Sequence, residues 1–302
     1  MQPENGAPAC GVPQAPPEGV AQAAWGRDRT CVRPEDGRAP VEGHRPLADG
    51  GPARPEWDAP ATVGALMSTR AGGVSAAPWD SLNVGTAVGD DPAAVAENRA
   101  RLAAAAGAAP VWLRQVHGAR VVRVGAADLG RDPPAADACW TEETGVACAV
   151  QVADCLPVLF AALNGRAVGA AHAGWRGLAV GVVEAALAAV GEAAGCGPGD
   201  IAVWLGPCIG PRRFEVGADV LAAFGAAPEA PDRRHFVPRA GADGNPRWLA
   251  NLPQLARDRL QAAGARGVSG GRWCTVEQAS DFFSFRRDGV TGRMAALVWL
   301  RG

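Results

Sequence analysis

A chain of 302 residues, 48% of them hydrophobic, is long enough to build one large domain with its own core. The formal net charge is only −2, and the basic residues, all Arg, are spread among balancing acids, which excludes the concentrated basic footprint of a nucleic-acid binder. No apolar run reaches the roughly 18 residues of a membrane span, no cleavable leader is visible, and the eight Cys are dispersed without a Cys-x-x-Cys pair, so a reduced cytoplasmic protein is expected.

Residues 1–57 are rich in Pro, Gly, Ala and charge with no apolar period, a composition that cannot bury enough surface to offset chain entropy. They are expected to form a disordered tail, and 58–302 a single catalytic domain. The first helix starts at Asp90-Asp91-Pro92, an acidic cap followed by Pro at the first helical position, and ends at Gly107. Short apolar runs predict strands over 111–113, 121–124, 146–152, 158–162, 167–171, 201–205 and 295–300. Helices are predicted over 178–194, 218–224 and 252–263. Strands and helices interleave without a strict strand–helix beat, so the expected fold class is α+β, with a mixed sheet and helices outside it. Arg286-Arg287-Asp288-Gly289 reads as a hairpin turn.

Three residues carry the functional signal: His117 in Gln-Val-His-Gly, Cys155 in Ala-Asp-Cys-Leu-Pro and His172 in Ala-His-Ala-Gly-Trp-Arg-Gly. Each sits where a predicted strand runs into a Gly- or Pro-marked turn, and two imidazoles with one thiolate form a three-ligand zinc shell that leaves a fourth position open for chemistry. Only four His occur in the chain; His44 falls in the tail and His235 in a polar connection, Asp-Arg-Arg-His-Phe. The same three residues would also suit two hydrogen-bonded loop histidines and a small buried thiol. A type-1 copper site with two His and one Cys is a further possibility, and so is a metal-free Cys155–His172 pair acting as thiolate and base. Asp154, next to the thiol, is a candidate general base or a residue that orients a ligand. His172 lies just before a helix start that favours anions, and Arg176 would add a planar cation suited to phosphate. Arg70 in Ser-Thr-Arg-x-Gly-Gly and Arg286 also stand among turn residues, where either would line a polar cleft. Cys208, between two glycines in Gly-Pro-Cys-Ile-Gly, is read as packing.

Taken together, Ser-Thr-Arg-x-Gly-Gly-Val-Ser (68–75), Leu-Asn-Val-Gly (82–85), Val-Gly-Asp-Asp-Pro (88–92), Glu-Asn-Arg (97–99) and the His and Cys motifs above make an ordered set. Gly-Pro-Cys-Ile-Gly (206–210), Phe-Phe-Ser-Phe-Arg-Arg-Asp-Gly (282–289) and Thr-Gly-Arg-Met (291–294) complete it. Over residues 60–302 the chain resembles the bacterial family long labelled polyphenol oxidase or laccase-domain protein, now described as purine nucleoside phosphorylase with adenosine deaminase activity. The resemblance implies a four-layer α/β/β/α sandwich, zinc held by His117, Cys155 and His172, and phosphorolysis of adenosine, inosine and S-methyl-5′-thioadenosine. It implies purine nucleosides and phosphate as partners, with no nucleic acid or membrane, in a monomer or small homo-oligomer. The older oxidase label would ask for copper, but a trinuclear copper cluster needs more His than the chain has. Under this resemblance Arg70, Arg176 and Arg286 are candidate phosphate or ribose contacts; Phe214 and Phe285 stand where family members often carry Tyr, and Val276 follows Cys274-Thr275, so any substrate contact that a Tyr hydroxyl makes there is absent here.

Overall fold

The computed structural model of the protein describes residues 54–241 and 244–302. The expected tail lies outside these residues except for its last four. Of those, Trp57 is half-buried against the core and Glu56 lies 3.2 Å from Arg272, contacts that a disordered tail does not make. Strand β1 (Val63–Met67) leads through a long loop to α1 (Pro92–Ala106), then β2 (Ala109–Val111), β3 (Val121–Arg123), β4 (Ala138–Thr141), β5 (Val146–Val152), β6 (Leu156–Ala162) and β7 (Val168–Ala173). Two helices follow, α2 (Trp175–Ala179) and α3 (Val182–Ala194), before β8 (Ile201–Leu205), β9 (Glu215–Val216) and α4 (Ala218–Ala223). The hairpin of β10 (Phe236–Ala240) and β11 (Pro246–Ala250), α5 (Leu252–Ala262), β12 (Gly267–Gly270), α6 (Phe285–Asp288) and β13 (Met294–Leu300) complete the chain.

A four-stranded sheet runs β1-β13-β5-β2 and a six-stranded one β12-β8-β6-β7-β4-β3, each mixing parallel and antiparallel pairs. Strand residues alternate between faces, and here both faces are buried. Val146, Cys148, Val150 and Val152 of β5, with Met294, Ala296 and Val298 of β13, meet Leu159, Ala161, Val168 and Ala170 of the other sheet. The intervening Ala147, Ala149, Ala295 and Leu297 pack under Leu102 and Ala106 of α1. On the far side, Val158 and Phe160 face Val183, Leu187 and Val190 of α3 and Leu255 and Leu260 of α5. Three apolar interfaces thus separate four layers in the order helix, sheet, sheet, helix, the α/β/β/α sandwich. Among the described residues no helix is long and apolar enough to cross a membrane.

Two local expectations differ. The single helix over 178–194 is two helices, because Gly181 takes a left-handed φ of 96° between them. The 286–289 hairpin is α6: the Ser284 hydroxyl accepts the Arg287 N–H at 3.2 Å and the Asp154 carboxylate accepts the Arg286 N–H at 2.6 Å. Those two acceptors satisfy N–H groups that the first turn of a helix cannot satisfy itself.

Candidate metal centre

Cys155 lies on the short link from β5 to β6, where the chain passes from the four-stranded sheet to the six-stranded one. Strand β7 runs antiparallel to β6 and sets His172 opposite Pro157, beside that link. His172 is one strand position beyond Ala170 on the face that carries the inter-sheet core, so its ring sits at the open end of that core. β4 pairs β7 on its other side, and the His172 N–H donates to the Asp137 carbonyl at 2.7 Å. His117 is on the loop after β2. Gln115 clamps that loop to β5, its amide donating to the Gln151 carbonyl at 2.8 Å and accepting the Gln151 N–H at 2.7 Å.

Asp137, fully buried, organises both imidazoles. Its carboxylate accepts N–H groups from Val116 at 3.2 Å, His117 at 2.9 Å and Gly118 at 2.7 Å, and contacts His172 Nδ1 at 2.9 Å. Burial opposes its charge, but the His172 contact and these amides outweigh it and hold Asp137 below its ordinary range. A carboxylate can only accept, so His172 Nδ1 is the donor and Nε2 is left for a ligand. The donor atoms of His117, Cys155 and His172 lie within 4.8 Å of one another, with Cys155 Sγ 3.9 Å from His117 Nε2. A tetrahedral zinc needs N···S edges of about 3.6 Å, so a small divalent cation would be held with the donors drawn in from these separations. Burial works against a thiolate at Cys155, yet the facing His172 and His117 lower its pKa to about 6. Burial likewise works against charge on His172, while Cys155 and Asp137 raise it to about 9.

Two non-Gly residues have left-handed backbone here, His117 at φ 60° and Asp154 at φ 94°, a strain of the kind that clusters at functional sites. A Cβ on Gly174 would stand 3.0 Å from both Cys155 Sγ and His117 Cδ2, so Gly leaves these two side chains their space.

Two cavities meet at the cluster and share His117, Cys155, Ala153 and Phe285. The smaller, about 180 Å³, has aromatic walls of Trp175, Phe214 and Phe285 together with Asp154, Arg176 and Arg286. The larger, about 670 Å³, reaches His172 and is lined by Trp112, Gln115, Gln151, Arg99, Arg114 and Arg293.

The cavities sort the residues picked from sequence. Asp154 lines the smaller one, but its carboxylate is held by the Thr275 hydroxyl at 2.5 Å and the Arg286 N–H at 2.6 Å. Arg286 reaches the Glu215 carbonyl at 3.0 Å and packs over Phe214. Arg176 lies over Trp175 at 4.4 Å, and its side chain has no hydrogen bond or ion pair among the described residues. Arg70 lines neither cavity; its guanidinium is bound to Asp80 and the Ala279 carbonyl and stacks on Phe283. Cys208 is fully buried, as packing would have it. Sequence reasoning missed Asp137, Gln115 and Arg293. An acid isolated in Ala-Ala-Asp-Ala-Cys was the available sign of the first.

The model of the family described as multi-copper polyphenol oxidoreductase laccase matches residues 64–301. A purine nucleoside phosphorylase of Pseudomonas aeruginosa is 51% identical over 249 residues, 82% of this chain and 97% of that one. Purine nucleoside phosphorylase YfiH of Escherichia coli is 46% identical over 251 residues, with the same coverage of both chains. Among solved structures, a Neisseria meningitidis protein superposes with TM-score 0.76 at 47% identity, covering 83% of this chain and all of that one. YlmD from Geobacillus stearothermophilus gives 0.72 at 36% identity, covering 80% and 93%. The chain therefore belongs to the family described as multi-copper polyphenol oxidoreductase laccase, whose curated relatives at this level of identity are named purine nucleoside phosphorylases.

Proposed function

We propose that this protein is a zinc-dependent purine nucleoside phosphorylase, acting on adenosine, inosine and S-methyl-5′-thioadenosine and also deaminating adenosine. The observation that carries the reading is the His117–Cys155–His172 donor set, open on two cavities, in a chain 51% and 46% identical over 249 and 251 aligned residues to proteins of that name. A bound divalent cation supplies Lewis acidity and a fixed point for orienting substrate. Asp137 and Gln115 hold the ligands in place. Trp175, Phe214 and Phe285 offer faces on which a purine stacks, and Arg176 and Arg286 offer cations for the ribose hydroxyls. Asp154, with both oxygens engaged, serves as a positioning residue that ties α6 and Thr275 to the Cys155 link. In the reaction a phosphate oxygen bonds to ribose C1′ as the C1′–N bond breaks. The electron pair leaves with the purine, and the proton of hydrogen phosphate ends on the purine nitrogen.

Copper chemistry of the laccase type is less well supported. Among the described residues the only His/Cys/acid group that could hold a metal is this three-donor set, and His235 is held by Asp258 at 2.8 Å. A metal-free cysteine hydrolase has one observation in its favour, a Cys155 thiol lowered to about 6 beside two imidazoles. Chromatography of adenosine incubated with metal-loaded protein, with and without phosphate, separates the readings. Adenine and ribose 1-phosphate formed only with phosphate are expected, with a smaller yield of inosine. Inosine alone would leave only a deaminase, and turnover indifferent to chelators would favour the hydrolase.

A further inference from the structure

The larger cavity has a charge imbalance that the fold does not require. Arg99, Arg114 and Arg293 line it, and no Asp or Glu does. Arg99 and Arg293 are half-buried and make no ion pair among the described residues. Arg99 spends Nε on the Val84 carbonyl at 2.9 Å and lies over the Trp112 ring at 4.2 Å. Arg293 donates from one terminal nitrogen to the Thr291 and Gly292 carbonyls at 3.1 and 3.0 Å, leaving its other nitrogens uncommitted. Arg114 is exposed at the wall with no side-chain hydrogen bond or ion pair among the described residues. Guanidinium groups withdrawn from water without a carboxylate are unfavourable unless an anion completes them. Burial lowers both Arg99 and Arg293, and the anions acting on Arg293 are Cys155 and Asp154, which places it beside the metal ligands. The smaller cavity differs: it is aromatic, and its two arginines share it with Asp154.

We propose that Arg293, with Arg99 and Arg114, forms the binding site for dianionic phosphate in the larger cavity, which meets the purine's cavity at the shared residues His117, Cys155, Ala153 and Phe285. The existence of the site rests on the charges; the identity of the anion as the co-substrate rests on the phosphorylase reading. The arrangement suits displacement at C1′, where nucleophile and leaving group must stand on opposite faces of the sugar. With phosphate in one cavity and the base in the other, the ribose spans the junction at His117, Cys155 and Phe285. Planar guanidinium forks match phosphate oxygens in pairs, and low-dielectric walls sharpen the attraction.

Calorimetric titration of inorganic phosphate into metal-quantified protein tests this, with ribose 1-phosphate as competitor. Arg293→Gln is expected to weaken phosphate binding at least about tenfold, the loss of one charge-assisted contact, at unchanged metal content. Arg114→Gln, which removes no side-chain hydrogen bond or ion pair seen among the described residues, is expected to weaken it severalfold, and Arg176→Gln in the other cavity to leave it unchanged. Should Arg293→Gln fail to fold, Arg293→Lys and Arg114→Gln decide. Parent affinity in the folded Arg293 and Arg114 variants, loss in Arg176→Gln alone, or no phosphate binding by the parent would each overturn the site. Base release is read separately. Phosphate binding that depends on Arg293 without any phosphorolysis would keep the site and remove the phosphorylase reading; phosphorolysis with an unchanged phosphate KM in both variants would do the reverse.

Discussion

Asp137 accepts three backbone N–H groups and one imidazole N–H, more than a neutral amide in its place can satisfy. Asp137→Asn keeps the volume but turns a donor toward those N–H groups. Metal affinity is expected to fall about 10- to 100-fold, as for other residues that orient a ligand, in competition with a chromogenic chelator. Unchanged affinity would remove Asp137 from the site. Cys155 is the titrating donor. With its pKa lowered to about 6, it is thiolate above that pH and regains its proton below it. In metal-free protein, alkylation of Cys155 should rise through pH 6 and level off by pH 7, and bound metal should suppress it. A rate still climbing at pH 8 would contradict the thiolate–imidazole arrangement. At this scale the three donors were legible, because His is scarce and the motifs resemble a known family. Asp137 was not, since its partners lie 19 to 21 and 35 residues away, on the loop after β2 and on β7, and the Arg114–Ala135 bridge and the β4–β7 register bring them together only in the folded chain.

Elements with strong terminal signals were also legible. α1 has the expected Asp91 cap, Pro at its start and left-handed Gly107 at its end. α5 begins at the expected residue, its Asn251 side chain accepting the Gln254 N–H. The 178–194 segment was misread because its apolar residues run on through Gly181, whose left-handed φ breaks the helix without any change in hydrophobicity. α6 was misread for a different reason: Arg-Asp-Gly is a sound turn signal, and one of the acceptors that fixes the helix, Asp154, lies 132 residues away. Ser284→Ala removes the local cap and should cost about 1 kcal/mol in chemical denaturation. Because α6 carries Phe285 and Arg286, the same change should raise the KM for nucleoside more than it lowers kcat. A KM equal to that of the parent would mean that α6 does not shape the cavity.

The whole molecule gathers His117, Cys155 and His172 where the chain crosses between sheets, so the core and this donor set depend on the same strands. Phe160 is fully buried between the six-stranded sheet and α3. Phe160→Ala should cost about 3–5 kcal/mol and lower the melting temperature by roughly 10 °C. A shift under a few degrees would show that this layer is not close-packed. The layer order was implied by family resemblance. Alternating residues on β5, β6 and β13 account for it physically, but uniformly apolar strands hide which face meets which layer.

The most direct test of the account is to strip the metal, add zinc back in steps and follow phosphate-dependent release of hypoxanthine from inosine. Release should rise in proportion to bound zinc, level off at one zinc per chain, and be absent from Cys155→Ala at every step. Full turnover by the metal-free protein, or by Cys155→Ala, would contradict it.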